Sequence, residues 1–174
     1  TLDGANIEMT NISTSKHSAN LVGYDVIIKN SNVVLNSMNA CISGTNLTVT
    51  NSTLKCTSGN DATESVFRIS ETVTIKDSTL DLRKTEEGGG GCINATSVTI
   101  EGGKLYGEGY SFAINADTVD IKSGVVELKA VTEEGDGQVF PNGAPDLAGY
   151  QNPAAVLGYD TSDAVKYDPA DAMD

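Results

Sequence analysis

The stretch that decides the fold is "TVTIKDSTLDL", residues 72–82. Val73 and Ile75 alternate with threonine and lysine, Leu80 and Leu82 alternate with polar residues, and Asp77-Ser78 stands between the two pairs. Period-two alternation on both sides of a polar turn describes two short strands around a corner. Alone it would fit any hairpin. Outward from it the same phrase returns as "DVIIKNSNVVL" (25–35), "NLTVTNSTLKC" (46–56), "SVTIEGGKLYG" (97–107) and "TVDIKSGVVEL" (118–128).

Aligning the copies gives columns. The first runs Ile7, Val26, Leu47, Val73, Val98, Val119, and the second, two residues on, Met9, Ile28, Val49, Ile75, Ile100, Ile121. After the turn come Val33, Leu54, Leu80, Leu105 and Val126, with Thr14 breaking this column in the first copy. A third strand is expected about five residues before each copy, at Leu21, Ile42, Ile93 and Ile114, with Ile69 displaced by one. The period is about 22 residues, which is a solenoid spacing. No single coil can bury its own inward face; stacked coils bury it for one another.

The corner residues agree. Asn11, Asn30, Asn51, Asp77, Gly102 and Ser123 share one position, followed by Ser31, Ser52, Ser78, Gly103 and Gly124. Asn, Asp and Gly tolerate the left-handed backbone of a sharp corner, and stacked amides can bond from coil to coil. An antiparallel meander needs neither matched corners nor a recurring third strand. The expected fold is therefore all-β: a single-stranded, right-handed parallel β-helix with three short strands per coil over residues 1–130.

The repeat stops near residue 130, and all four prolines lie beyond residue 140. Residues 131–174 are thus expected to form an irregular, acidic C-terminal cap over the last coil, whose strands would otherwise be open to aggregation. Thr1 enters in mid-pattern, so the N-terminal end is expected to continue in a longer chain. Loops between the second and third strands lengthen at "TSGNDATESV" and "RKTEEGGGG", on successive coils and one edge of the rod.

The formal charge of -13 would repel a phosphate backbone or an anionic lipid surface. Nucleic acid is excluded as a partner on that ground. No apolar run approaches the roughly 20 residues that a helix needs to cross a bilayer, so direct membrane insertion is not expected.

Few residues offer catalysis. His17 is the only histidine, and it falls in a loop, which leaves no material for a His-dependent triad or a His-rich metal site. A polysaccharide lyase would need a base beside acid-held calcium, but Arg68 and Arg83 are the only arginines, and the outward positions are mainly Thr48, Thr50, Thr74, Lys76 and Thr99. Cys56 reads as a small core residue in the column of Leu35, Leu82 and Leu128. Cys41 and Cys92 are equivalent but two coils apart. Strands stacked about 4.8 Å apart would put their Cα atoms roughly 9 to 10 Å from each other, beyond disulfide reach of about 7 Å. Three free thiols are expected.

Binding chemistry is better supplied. Tyr106, outward on a strand, and Tyr110, in the next loop, present flat apolar faces with polar tips, suited to sugar rings. Asp61, Glu64, Glu86 and Glu87 in the long loops supply oxygens that a hard cation such as calcium prefers. Asp61, Glu86 and Glu87 are also the acids expected to bond sugar hydroxyls.

The units "LTVTNSTLKCTSGNDA" (47–62), "VTIKDSTLDL" (73–82) and "GCINATSVTIEGGKLYGEG" (91–109) resemble the β-helical carbohydrate-binding domains of secreted and cell-surface proteins from Firmicutes. The likeness covers roughly residues 21–130. It implies an extracellular or cell-wall location, a plant or host polysaccharide as partner, and in some members structural calcium held by loop acids. This chain departs from the family's doubled Asp with Asn60-Asp61, and its later coils carry Glu108-Gly109. The expected function is a non-catalytic polysaccharide-binding or adhesive module that needs no cofactor, with calcium as a possible ion. The alternatives are a structural spacer or display rod, and, with less to support it, a polysaccharide lyase or hydrolase.

Overall fold

The computed structural model describes residues 1–15, 17–59, 64–85, 90–130, 156–159 and 164–167. The first half of the rod contains β1 (Leu2–Asp3), β2 (Asn6–Asn11), β3 (Ala19–Lys29), β4 (Asn32–Ser37), β5 (Ala40–Thr50) and β6 (Thr53–Ser58). Then follow β7 (Phe67–Lys84), β8 (Gly91–Asn94), β9 (Ser97–Gly109), β10 (Phe112–Asn115) and β11 (Thr118–Ala130). Two short strands close the series, β12 (Val156–Tyr159) and β13 (Ala164–Tyr167).

The architecture is an all-β parallel solenoid of about five turns. One ladder runs β1-β3-β5-β7-β9-β11, and a second joins β2, β4 and β6 to β7. All these pairings are parallel, and among the described residues only β12 with β13 is antiparallel. β12 lies parallel on Val126–Lys129 of β11. The remainder of the expected cap lies outside the described residues.

Leu54, Leu80 and Leu105 pair in successive coils, as do Val49, Ile75 and Ile100, and all six are buried. Each buried aliphatic side chain contributes roughly 1.5–3 kcal/mol by leaving water. The strands run longer than the short ones expected, because the backbone bends at several corners without losing its ladder. β7 is 18 residues long and turns through the Asp77 corner as one strand.

Three positions of the expected alignment shift. Leu2 pairs with Ile28, Ile7 with Val33 and Met9 with Leu35, so the "IEM" segment belongs to the second strand of the first coil. That coil's corner is Gly4, with φ of 64°, rather than Asn11. Gly4 N–H donates to the Lys29 carbonyl at 3.1 Å, which places it beside Asn30. In the third-strand column Phe67, not Ile69, pairs with both Ile42 and Ile93. A register shift between Gly44 and Asn46 absorbs the extra residue, and Ile69 pairs with Gly44 while remaining buried. At the last corner Ser123 pairs with Glu101, and the left-handed residue is Gly124, with φ of 108°.

The other corners carry left-handed φ at Asn30, Asn51 and Asp77 (51°, 47° and 47°) and at Gly102 and Gly103. Asn51 Nδ2 donates to Asn30 Oδ1 at 2.9 Å, and Asn30 Nδ2 to Asp3 Oδ1 at 3.0 Å. Beneath this amide ladder lies a buried hydroxyl ladder. Ser31, Ser52 and Ser78 each donate a hydrogen bond of 2.7 Å to the carbonyl two residues earlier. Each Oγ also accepts from the preceding coil: Ala5 N–H to Ser31, Ser31 N–H to Ser52 and Ser52 N–H to Ser78, at 3.0–3.1 Å. Backbone N–H groups that the corner turns away from the sheet are thereby satisfied inside the rod. The serine ladder stops at Gly103, where a Cβ would stand 2.0 Å from the Ser78 carbonyl oxygen.

Candidate functional site

Each strand that turns leucines inward turns the alternate residues to the surface. On the wall that follows the corner, one outward column is Lys55, Asp81, Tyr106 and Glu127. Beside it run Thr79, Lys104 and Val125 on one side and Arg83, Glu108 and Lys129 on the other. Over the last three coils these columns enclose a shallow cleft of about 320 Å³. Tyr106 lies at its centre, between Asp81 and Glu127. Val125 on the rim is 46% exposed.

The tyrosine is held in one orientation. Its hydroxyl donates to Glu108 Oε2 at 2.7 Å, and the Arg83 guanidinium carbon stands 4.8 Å from its ring centroid. Arg83 Nε donates to Asp81 Oδ1 at 2.8 Å, and its guanidinium lies 3.9 Å from Glu108. Lys129 Nζ donates to Glu108 Oε1 at 3.1 Å. Partial burial, then the Glu108 carboxylate, push the Tyr106 phenol up to about 12. The hydroxyl of Tyr106, with Lys129 beside it, holds the Glu108 carboxyl below its ordinary value despite partial burial. Glu108 is therefore a fixed anion that orients the ring. Lys104 and Glu127, by contrast, carry charges with no ion-pair partner among the described residues.

Of the residues expected to bind sugar, Tyr106 lies in this cleft. Tyr110 does not line it: it follows the end of β9, half-buried, with its N–H donating to the Gly90 carbonyl at 3.2 Å. Asp61, Glu86 and Glu87 lie outside the described residues. Their loops do leave from stacked positions, since Ser58 pairs with Lys84. Glu64 is committed to Arg68, whose Nη1 lies 2.6 Å from Glu64 Oε2. Among the described residues no group of three or more His, Cys, Asp or Glu side chains is placed to hold a metal ion. His17 is exposed and gives only its backbone carbonyl to Arg68.

No protein-family model, no curated protein and no solved structure matches this chain. The cleft rests on its own geometry. Asp81, Arg83, Lys104, Val125 and Glu127, which line it, and Glu108, which holds its tyrosine, are what sequence reasoning missed, although the columns contained them. Asp81, Tyr106 and Glu127 each follow a buried residue of one column, Leu80, Leu105 and Val126. Carrying the outward columns across coils, rather than looking for acids in loops, would have brought them together.

Proposed function

We propose that this chain is a non-catalytic polysaccharide-binding module of a bacterial surface protein, a right-handed β-helix acting outside the cell. The observation that carries the reading is the Tyr106 ring, fixed by Glu108 and Arg83 in the middle of a cleft that follows the rod across three coils. A rigid aromatic face with a polar rim suits a sugar ring, which is apolar on its faces and hydroxylated at its edge. Thr79, Lys104 and Glu127 offer a hydroxyl, a donor and an acceptor at that rim. The run of the cleft along the rod suits an extended polymer.

The non-catalytic part of the reading is supported by the scarcity of catalytic groups, with one histidine and two arginines in the sequence, and by the state of Glu108. A glycosidase needs a carboxyl with a raised pKa to protonate its leaving group, whereas Tyr106 and Lys129 hold Glu108 ionised. A spacer rod is the second reading, favoured by the mutual pairing of Asp81, Arg83, Glu108 and Lys129, which leaves fewer free groups for a ligand. Retention on a panel of insoluble plant and bacterial polysaccharides, with a host-type glycan array beside it, separates the two. Saturable retention on at least one polymer is expected, and retention on none would give the spacer reading the lead. A chelator arm tests calcium: loss of binding with chelator, restored by added calcium, would show that binding needs the ion.

A further inference from the structure

Cys41 and Cys92 hold one place in the repeat, with Val66 in the coil between them: Cys41 N–H donates to the Val66 carbonyl, and Val66 N–H to that of Gly91. Each cysteine projects inward against the wall that follows the corner. Cys92 Sγ lies 3.4 Å from the Leu82 carbonyl oxygen, and the residue paired with Leu82 is Gly107. A Cβ built on Gly107 would stand 3.7 Å from Cys92 Cβ and 3.5 Å from its sulfur. Cys41 repeats the arrangement two coils earlier. Its Sγ lies 3.6 Å from the Leu35 carbonyl oxygen and 3.3 Å from that of Thr57. The residue paired with Leu35 is Cys56.

Cys56 therefore stands to Cys41 as Gly107 stands to Cys92, but with a real Cβ and sulfur. The repeat carries over a Cβ–Cβ spacing that matches the disulfide mean of about 3.8 Å. Cys41 also acts on the Cys56 thiol, adding to the upward push that burial gives it. Cys92 faces a glycine and has no such partner.

We propose that Cys41 and Cys56 are a disulfide-forming pair, an oxidation site that ties two walls of one coil together, with Cys92 as a lone buried thiol. Both members are fully buried, and burial pushes the Cys56 thiol well up, so the reactive thiolate forms only while the coil is open. The oxidant is a small-molecule disulfide such as oxidised glutathione. One cysteine thiolate attacks it, forming a mixed disulfide and releasing one glutathione. The second thiolate then attacks the protein sulfur of that mixed disulfide, closing the bond and releasing the other glutathione. The two cysteines give up two protons and two electrons, and the glutathione disulfide is reduced to two thiols.

The test is to unfold the whole chain in guanidinium, refold it in a glutathione redox buffer, alkylate the remaining thiols and map peptides by mass spectrometry. A Cys41–Cys56 link with Cys92 alkylated is expected, with a melting temperature on the order of 5 °C above that of the reduced protein. Three alkylated cysteines, or a dominant bridge that includes Cys92, would overturn the proposal. Gly107→Cys checks the spacing independently, and a second link from Cys92 to the introduced thiol is expected. Leu128 must yield a few tenths of an ångström to admit it, since its side chain lies 3.0 Å from that Cβ. If the variant folds and stays unlinked, the spacing is wrong; if it does not fold, the peptide map of the natural sequence decides.

Discussion

Replacing Ser52 by alanine interrupts the buried hydroxyl ladder at its middle rung. Two bonds go: the one from Ser52 Oγ to the Thr50 carbonyl at 2.7 Å, and the one from Ser31 N–H to Ser52 Oγ at 3.1 Å. The Thr50 carbonyl keeps a donor, because Asn30 N–H also reaches it at 3.1 Å. The Ser31 N–H is left without its acceptor inside the rod. An orphaned buried donor costs about 1–3 kcal/mol. For a domain of this size that lowers the melting temperature by roughly 3–10 °C. Thr53→Ala, one residue on and exposed, should change it by no more than about 2 °C. The assay is a thermal melt followed by circular dichroism, with amide hydrogen exchange read at Ser31. Ser52→Ala should speed exchange at Ser31 while strand amides two coils away keep their protection. If melting and Ser31 exchange both match the parent, the ladder contributes nothing and the account of the corner is wrong.

The inward and outward assignment predicts a large asymmetry on one coil. Leu80→Asp inserts an unpaired charge between Leu54 and Leu105 and should prevent folding or cost at least about 3–5 kcal/mol, while Thr74→Asp on the outer face should lower the melting temperature by only a few degrees, about 1 kcal/mol; comparable losses would refute the assignment. The Tyr106 phenol should ionise near 12 in an ultraviolet pH titration, identified by subtracting the Tyr106→Phe curve. Because that folded value is raised, the neutral phenol's contribution to stability is complete below pH of about 10 and fades as pH climbs towards 12. Glu108 has the opposite sign: its lowered value gives stability above the ordinary carboxylate range that is lost as pH falls through the folded value. Glu108→Gln should flatten the acid limb of the melting profile, and an unchanged limb would show that Glu108 is not held as described.

Much of the fold was legible because a solenoid writes its geometry into the sequence at one period. The alternation around Asp77-Ser78 located the corner, and Leu54, Leu80 and Leu105 located a core column. The first coil was misread because "IEMTN" imitates the strand before a corner. The true corner, Gly4, lay five residues before Met9 in "LDG", a turn phrase too short to stand out without its stacking partner Asn30. Phe67 displaced Ile69 for a similar reason: a single-residue register shift after Gly44 is invisible to an alignment of apolar residues. The site was half legible. Tyr106 stood out as an exposed aromatic and Glu108 lies two residues on in the same strand, but Arg83 comes from the preceding coil, and only stacking brings it over the ring. The proximity of Cys41 and Cys56 was hidden because they lie on different walls of one coil, where column counting sees no relation.

The most direct test of the central claim compares two tyrosines on one rod. Tyr106 lies in the cleft, whereas Tyr24, 71% exposed, stands on another wall near the opposite end. Affinity for the best-retained polysaccharide would be measured for the parent, Tyr106→Ala and Tyr24→Ala, after circular dichroism shows that all three fold. Loss of a base-stacking aromatic elsewhere costs about 1–3 kcal/mol, so Tyr106→Ala should weaken binding by roughly 5- to 150-fold, with Tyr24→Ala equal to the parent. Undiminished binding by Tyr106→Ala, or an equal loss in both variants, would contradict the account.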